Sequence, residues 1–157
     1  MSASLLSVQL GVGTLSSSTV SASTHGGGGA TTSEASVHDV VAFQGQPAQV
    51  TATVIAAHAE ANCGGVHGSS TIANLTFGGL QVTATGAPNQ TLVIPGVATP
   101  ILNEQVVAPN FPEITVNALH LILGTGEEVV LSSAQSGVDC LLPVERTAWA
   151  EVKMLYR

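Results

Sequence analysis

Short segments of alternating apolar and polar residues, separated by turn residues, run along almost the whole chain. The first of them, SLLSVQLGVGTL, places Leu6, Val8, Leu10 and Val12 on one face of an extended strand. Segments rich in β-branched residues follow from Val37, with Gly, Pro or Asn between them. Alternation with a period of two indicates half-buried strands, and about nine or ten short strands indicate a sandwich or barrel. We therefore predict an all-β fold, a β-sandwich of jelly-roll-like or Ig-like type with little helix.

Two glycine-containing segments and one terminal segment refine this prediction. FGGLQ and LGTGEE predict tight hairpin turns, because glycine adopts the positive φ angles that such turns need. TAWAEVKMLY predicts a last strand near the C-terminus.

The scarcity of charge excludes several classes of partner. Charged residues make up 8% of the chain, too few to cover solvent-facing helices with Glu and Lys. All three basic residues, Arg146, Lys153 and Arg157, lie after residue 145. No phosphate-binding groove is expected from such a chain, so nucleic acid is not an expected partner. No apolar run approaches the roughly 18 residues that span a bilayer, and we expect no membrane insertion.

The chain divides into three parts around one core. A length of 157 residues suffices for one domain. We predict an N-terminal strand over 1–24, a Gly/Ser/Thr-rich linker or loop over 25–36 and a β-sandwich domain over 37–157. A flexible linker would allow the N-terminal strand to pair with a neighbouring subunit instead of its own domain.

Five segments resemble, in sequence and in order, those of a bacterial protein family. They are GSSTIANLTFGGLQV, TLVIPG, ILNEQ, ITVNALHLIL and VVLSSAQSGVDC, and they cover about Asn62 to Cys140. The pattern resembles the choice-of-anchor P family. The resemblance implies a secreted protein displayed at the cell surface, with its signal peptide removed, and it attaches no catalytic residue to the chain.

Cys63 and Cys140 are the only cysteines. In a secreted β domain two cysteines usually form one disulfide, and the family resemblance places one at each end of the shared region. Free thiols and metal ligands are the alternatives. The stretch HAEANCGGVHG offers His58, Glu60 and His67 as weak candidates for metal ligands. A structural site needs a closed four-ligand set, which a disulfide at Cys63 would prevent, so we expect no metal and no cofactor.

Other motifs that are typical of enzymes lack their partners. HGGGG, from His25 to Gly29, resembles the oxyanion loop of esterases, but the chain has no G-x-S-x-G nucleophile motif. The adjacent carboxylates Glu127 and Glu128 follow a Gly-Thr-Gly turn, where solvated charges are expected. We expect a protein without enzymatic activity.

The segment ITVNALHLIL places a histidine and an asparagine in one of the most apolar runs of the chain. Strict alternation would put His120 on the same face as Ala118 and would put Asn117 on the opposite face with Leu119. A buried neutral imidazole needs partners for its ring nitrogens, and the preceding segment LNEQ offers polar ones. The predicted core polar network, which would fix the strand register, consists of Asn103, Glu104, Gln105, Asn117 and His120.

Two functions of different classes remain. The first is an extracellular structural protein that self-associates into a surface layer, filament or biofilm-type matrix, with the N-terminal strand donated to a neighbour. Its partner is a second copy of the chain, and its strand-donation residues are Leu6, Val8, Leu10 and Val12. The alternative is a monomeric, surface-displayed binding module that recognises an unknown ligand through loops around His25 and Pro109 to Pro112.

Overall fold

The structure of the chain, a computed structural model, describes the backbone of residues 6–10 and all atoms of residues 13–140. These residues form strands and no helix, so the predicted all-β class is confirmed. None of them lies in a helix long and apolar enough to cross a membrane. The predicted last strand, TAWAEVKMLY, lies outside the described residues. The strands are β1 (Leu6–Leu10), β2 (Gly13–Ser17), β3 (Thr19–Gly27), β4 (Ala30–Ala42), β5 (Val50–Asn62), β6 (Gly65–Ala73), β7 (Thr76–Phe77), β8 (Leu80–Gln81), β9 (Gln90–Thr91), β10 (Ala98–Val107), β11 (Glu113–Leu123) and β12 (Glu128–Gly137).

The strands form two antiparallel sheets that pack face to face, so the predicted β-sandwich is confirmed. Sheet A contains β1 to β8, and sheet B contains β9 to β12. In sheet A, β2 and β3 lie end to end along β4, and β6 and β7 lie end to end along β5. If β2 and β3 are counted as one strand, and β6 and β7 as another, the described strands of each sheet lie side by side in the order in which they follow along the chain. The described strands thus form meanders in both sheets, without the Greek-key connections that are typical of jelly-roll and Ig domains.

The core lies between the sheets and consists mainly of small and branched apolar side chains, together with Phe43 and Phe77. Sheet A contributes alternate residues of β4 and β5, and sheet B contributes the inward residues of β10, β11 and β12. Its largest fully buried apolar side chains are Phe43, Ile55, Leu75, Leu102, Ile114, Leu119, Leu121, Val40, Val50, Val116 and Pro100.

Left-handed residues interrupt the pairing on both sides of the central strand of each sheet. In sheet A, Asp39 (φ 48°) and Asn74 (φ 53°) flank Thr53 of β5. In sheet B, Asn103 (φ 51°) and Ser132 (φ 64°) flank Ala118 of β11. The register is the same before and after each interruption, so only the orientation of the side chains changes.

This interruption overturns the predicted alternation along β11. Ala118 and Leu119 are consecutive and both are fully buried, so the inward face changes from even-numbered to odd-numbered residues between them. His120 therefore lies on the outer face of sheet B, the face turned away from sheet A, and Asn117 lies on the same face. Local periodicity could not predict the change, because the left-handed residues belong to the neighbouring strands β10 and β12.

Residues 25–36 form strands and a tight turn in place of the predicted linker or loop. These residues belong to a hairpin of β3 and β4, whose pairing runs without a gap from Gly27 opposite Ala30 to Thr19 opposite His38. The hairpin turns at Gly28 (φ 62°) and Gly29 (φ 79°). Two successive positive φ angles are the signature of a two-residue type I′ turn, which glycine accommodates without steric cost. The Gly-rich run therefore closes a hairpin instead of forming a flexible tether.

The two hairpins predicted from glycine are confirmed. FGGLQ joins β7 to β8 through Gly78 and Gly79, and LGTGEE joins β11 to β12 with Gly126 at a positive φ. By contrast, β8 and β9 are short elements of two residues each.

Candidate functional site

A disulfide joins the two sheets at one end of the sandwich, as predicted. Cys63 lies in the two-residue turn between β5 and β6, and Cys140 follows β12, with the two Cα atoms 5.6 Å apart. The bond links residues separated by 77 positions and stabilises the fold by about 4.5 kcal/mol in the chain-entropy estimate. Ala30 pairs with Asn62, so the Gly28–Gly29 turn lies at this same end of sheet A.

A chain of hydrogen bonds crosses the outer face of sheet B. Ser133 of β12 donates to Oδ1 of Asn117 at 2.7 Å, and Nδ2 of Asn117 donates to Oε2 of Glu104 at 2.6 Å. The same carboxylate oxygen lies 3.0 Å from Nδ1 of His120. Nε2 of His120 lies 3.4 Å from Oε2 of Glu128 and forms no hydrogen bond with a described residue. Side chains from β10, β11 and β12 thus meet around one imidazole.

The carboxyl group of Glu104 is held in its charged form. Burial raises its pKa, but hydrogen bonds from Asn117 and His120, together with the charge of His120, outweigh burial and hold the pKa below its ordinary value. The side chain of Glu104 is 19% exposed and that of His120 is 12% exposed, so water screens the pair only in part.

The other two residues of the predicted network lie apart from His120. Asn103 is 2% exposed, and its Nδ2 donates to the carbonyl of Gly86 at 2.9 Å. Nε2 of Gln105 donates to Oδ1 of Asn103 at 3.2 Å and to the carbonyl of Gly68 in β6 at 2.8 Å. The five predicted residues therefore form two clusters, one on the outer face of sheet B and one between β10 and β6.

The weak metal candidates lie together on the outer face of sheet A. Glu60 of β5 pairs with His67 of β6, and His58 precedes Glu60 on the same face. Nε2 of His58 lies 3.7 Å from Oε1 of Glu34 and 3.8 Å from Oε1 of Glu60. No group of three His, Cys, Asp or Glu side chains within the described residues could hold a metal ion. These contacts are surface ion pairs when His58 is protonated, and such pairs contribute little to stability.

The N-terminal strand pairs within its own chain. Leu6 of β1 lies opposite Ser17, and Leu10 lies opposite Gly13, so β1 covers the outer edge of β2. Val8 lies opposite Leu15 in the same ladder, whereas Val12 lies outside the described residues. The edge of β2 is covered over these five residues, and the edge of β3 beyond them is not covered by β1.

The edge of β3 is the feature that the sequence did not predict. The strand has nine residues, of which all but the first are exposed, and β4 is its only partner among the described strands. In a two-residue hairpin the residues flanking the turn bond to each other, so Gly27 and every second residue before it bond to β4. The backbone N–H and C=O groups of Val20, Ala22, Thr24 and Gly26 therefore point away from β4.

The hairpin of β5 and β6 supports this assignment of bonding direction. Its two-residue turn also makes the flanking pair, Asn62 and Gly65, bond to each other, so the carbonyl of Gly68 is expected to point away from β5. This carbonyl accepts the side-chain hydrogen bond of Gln105. No described residue donates to or accepts from the corresponding backbone groups of β3.

The fold and these surfaces define the class of the protein as an all-β sandwich domain with one disulfide and with a strand, β3, whose outer edge no described strand covers. Comparison with known proteins adds no relative: no protein-family model matches the chain, and no curated protein and no solved structure matches it significantly. The resemblance to the choice-of-anchor P family stays a prediction.

Proposed function

We propose that the protein is an extracellular structural subunit that self-associates into a layer, filament or matrix by edge-to-edge strand addition. The observation that carries this proposal is the edge of β3, with the sequence TVSASTHGG. Natural sheets protect their edges with Lys, Pro, bulges, short strands or a covering element. This strand contains no Lys, Arg, Asp, Glu or Pro, and no described strand covers it. It offers its free backbone groups as a template for a strand of another molecule.

The opposite edge of sheet A, formed by β6, supports growth of the assembly in a second direction. Strands β3, β4, β5 and β6 are aligned over nine rows, from Thr19 beside His38 to Gly27 beside Ala30 and onward to Asn62 and Gly65. Among the described strands, β5 alone pairs with β6, so the edge of β6 that faces away from β5 is partly open. A sheet with edges on both sides can extend in both directions, which favours a polymer over a closed pair.

The disulfide supports an extracellular location. Disulfides persist in oxidising compartments and are rare in the cytosol, where thiols are kept reduced. In this protein the bond closes the sandwich at the end where the β3–β4 hairpin projects. A subunit exposed outside the cell would keep this end ordered without a metal or a cofactor.

The proposal is tested by the solution mass of the full chain. Light scattering over a range of concentrations, with negative-stain microscopy, is expected to show species heavier than the 15.7 kDa monomer. Ala22→Pro removes an N–H that points away from β4, so it should lower the mass while leaving the β3–β4 ladder intact. Ala22→Thr is the matched control, because threonine keeps the N–H and favours strands. A full chain that stays monomeric at all concentrations would refute the proposal.

A monomeric binding module is the second candidate, and one surface favours it. The connection between β10 and β11 exposes 65% of Phe111. Phe111 borders a surface cavity of about 440 Å³ that is also lined by Glu113, Gln135 and Asp139. The other predicted loop, around His25, is a strand. A monomeric mass for both the full chain and Ala22→Pro would support this function over self-association.

A further inference from the structure

The open edge of β3 is complementary to itself in one register. Its outward backbone groups belong to Val20, Ala22, Thr24 and Gly26, which are evenly spaced along the strand. When two such strands run antiparallel and overlap over their full length, Val20 lies opposite Gly26 of the second copy, and Ala22 lies opposite Thr24. Each of these residues then has a backbone partner, and about eight hydrogen bonds can form. A shift of two residues would leave one outward residue of each strand without a partner in the other.

We propose that β3 pairs antiparallel with β3 of a second copy about a two-fold axis at Ser23. This inference rests on the proposed function and specifies its first contact. The two copies of sheet A then form one continuous sheet across the axis. Because a two-fold contact uses the same surface on both molecules, this contact alone yields a dimer, and further growth needs the edge of β6 or another surface.

The side chains of the strand permit this approach. On the outer face, Ser23 lies opposite its own copy and Ser21 lies opposite His25 of the second copy. On the other face, Val20, which is 39% exposed, would cover Gly26 of the second copy. The nearest carboxylate, Glu34, lies one strand away on β4 beside Ser23. No like charges are opposed across the axis at neutral pH, so the negative net charge of the chain does not concentrate at the contact.

Cysteine cross-linking of the full chain tests the register. Ser23 does not bond outward, so Ser23 and its copy form a non-hydrogen-bonded pair, the closest type of cross-strand pair. Ser23→Cys should therefore form an intermolecular disulfide when diamide oxidises the two thiols, as seen by non-reducing electrophoresis. Ser21→Cys is the matched control, because Ser21 lies on the same face but four residues from its own copy along the strand. We expect at least about ten-fold more cross-linked dimer from Ser23→Cys, since a disulfide needs Cβ atoms within about 4.5 Å.

The outcomes separate this inference from the proposed function. Equal cross-linking of the two variants, or none in either, overturns the two-fold pairing at Ser23. If the unmodified chain is nevertheless heavier than a monomer, the protein still self-associates and only the contact at β3 is wrong. If the unmodified chain is a dimer at all concentrations and Ser23→Cys is cross-linked selectively, the contact stands and the polymer is refuted. A purely monomeric chain overturns both.

Discussion

A partly buried hydroxyl that bridges the two sheets provides the sharpest test of how the sandwich is held together. Oγ of Ser132 in β12 donates to the carbonyl of Ala35 at 2.8 Å and accepts from the N–H of Ala57 at 3.1 Å. Ala35 and Ala57 face each other in the β4–β5 ladder, so the hydroxyl from sheet B binds to both strands of that pair. Ala57 is 2% exposed, and water cannot readily replace the lost contact.

Ser132→Ala should remove both hydrogen bonds without changing the backbone requirement. Alanine and serine both carry a Cβ atom and therefore have a similar steric cost at the left-handed φ of 64°. The variant thus measures the contribution of the hydroxyl group alone. At about 1 kcal/mol for each hydrogen bond, we expect the free energy of unfolding to fall by about 2 kcal/mol. With a urea dependence of about 2 kcal/mol per M, the midpoint should move down by about 1 M.

The assay is urea unfolding followed by far-ultraviolet circular dichroism, with the disulfide intact. Ser133→Ala is the matched control: it lies one residue further along β12, is exposed, and donates a single hydrogen bond to Asn117. We expect this control to stay within about 0.5 kcal/mol of the unmodified chain. If Ser132→Ala is no less stable than Ser133→Ala, the bridging hydroxyl does not stabilise the contact between the sheets, and the reasoning is wrong.

Three further predictions concern packing, pH and the disulfide. Gly68→Ala would place a Cβ 2.6 Å from Cγ2 of Val116, so overpacking should cost about 1–3 kcal/mol in urea unfolding, whereas Gly27→Ala, with open space around its Cβ, should be nearly neutral. The lowered pKa of Glu104 contributes stability above the ordinary value of 4.5, and this contribution is lost as the pH falls through the folded pKa. The stability of the unmodified chain relative to Glu104→Gln should therefore be larger at pH 7 than at pH 3, and a difference independent of pH would contradict the role assigned to this carboxylate. Reduction of the Cys63–Cys140 bond should lower the free energy of unfolding by about 4.5 kcal/mol in the chain-entropy estimate, measured as a shift of the urea midpoint, and an unchanged midpoint would argue against a stabilising disulfide.

The candidate surfaces were predictable to different degrees. The grouping of polar residues around LNEQ and His120 was visible in the sequence, because buried polar groups need partners and few others lie nearby. Their division into two clusters was not visible, since the reversal of the inward face at Ala118 and Leu119 depends on left-handed residues in two other strands. The metal candidates His58 and His67 do share one face, but their distances depend on the pairing of β5 with β6.

The edge of β3 was hidden from sequence analysis for a related reason. Its residues are small, polar and exposed, so they carry no apolar alternation, and such a composition is also typical of linkers. The one signal that could have identified the strand is the Gly28–Gly29 pair, which suits a two-residue hairpin turn between segments of equal length.

The sequence by itself determined the all-β class and the positions of the hairpins at FGGLQ and LGTGEE, and it predicted the pairing of its only two cysteines. These features depend on local backbone preference, on a period of two and on the absence of any other thiol. The tertiary structure decided which face His120 occupies, that residues 19–27 form a strand, and that β4 alone of the described strands pairs with it. Each of these outcomes depends on hydrogen bonds and register between segments far apart in the chain, and the pattern of a single segment does not contain that information.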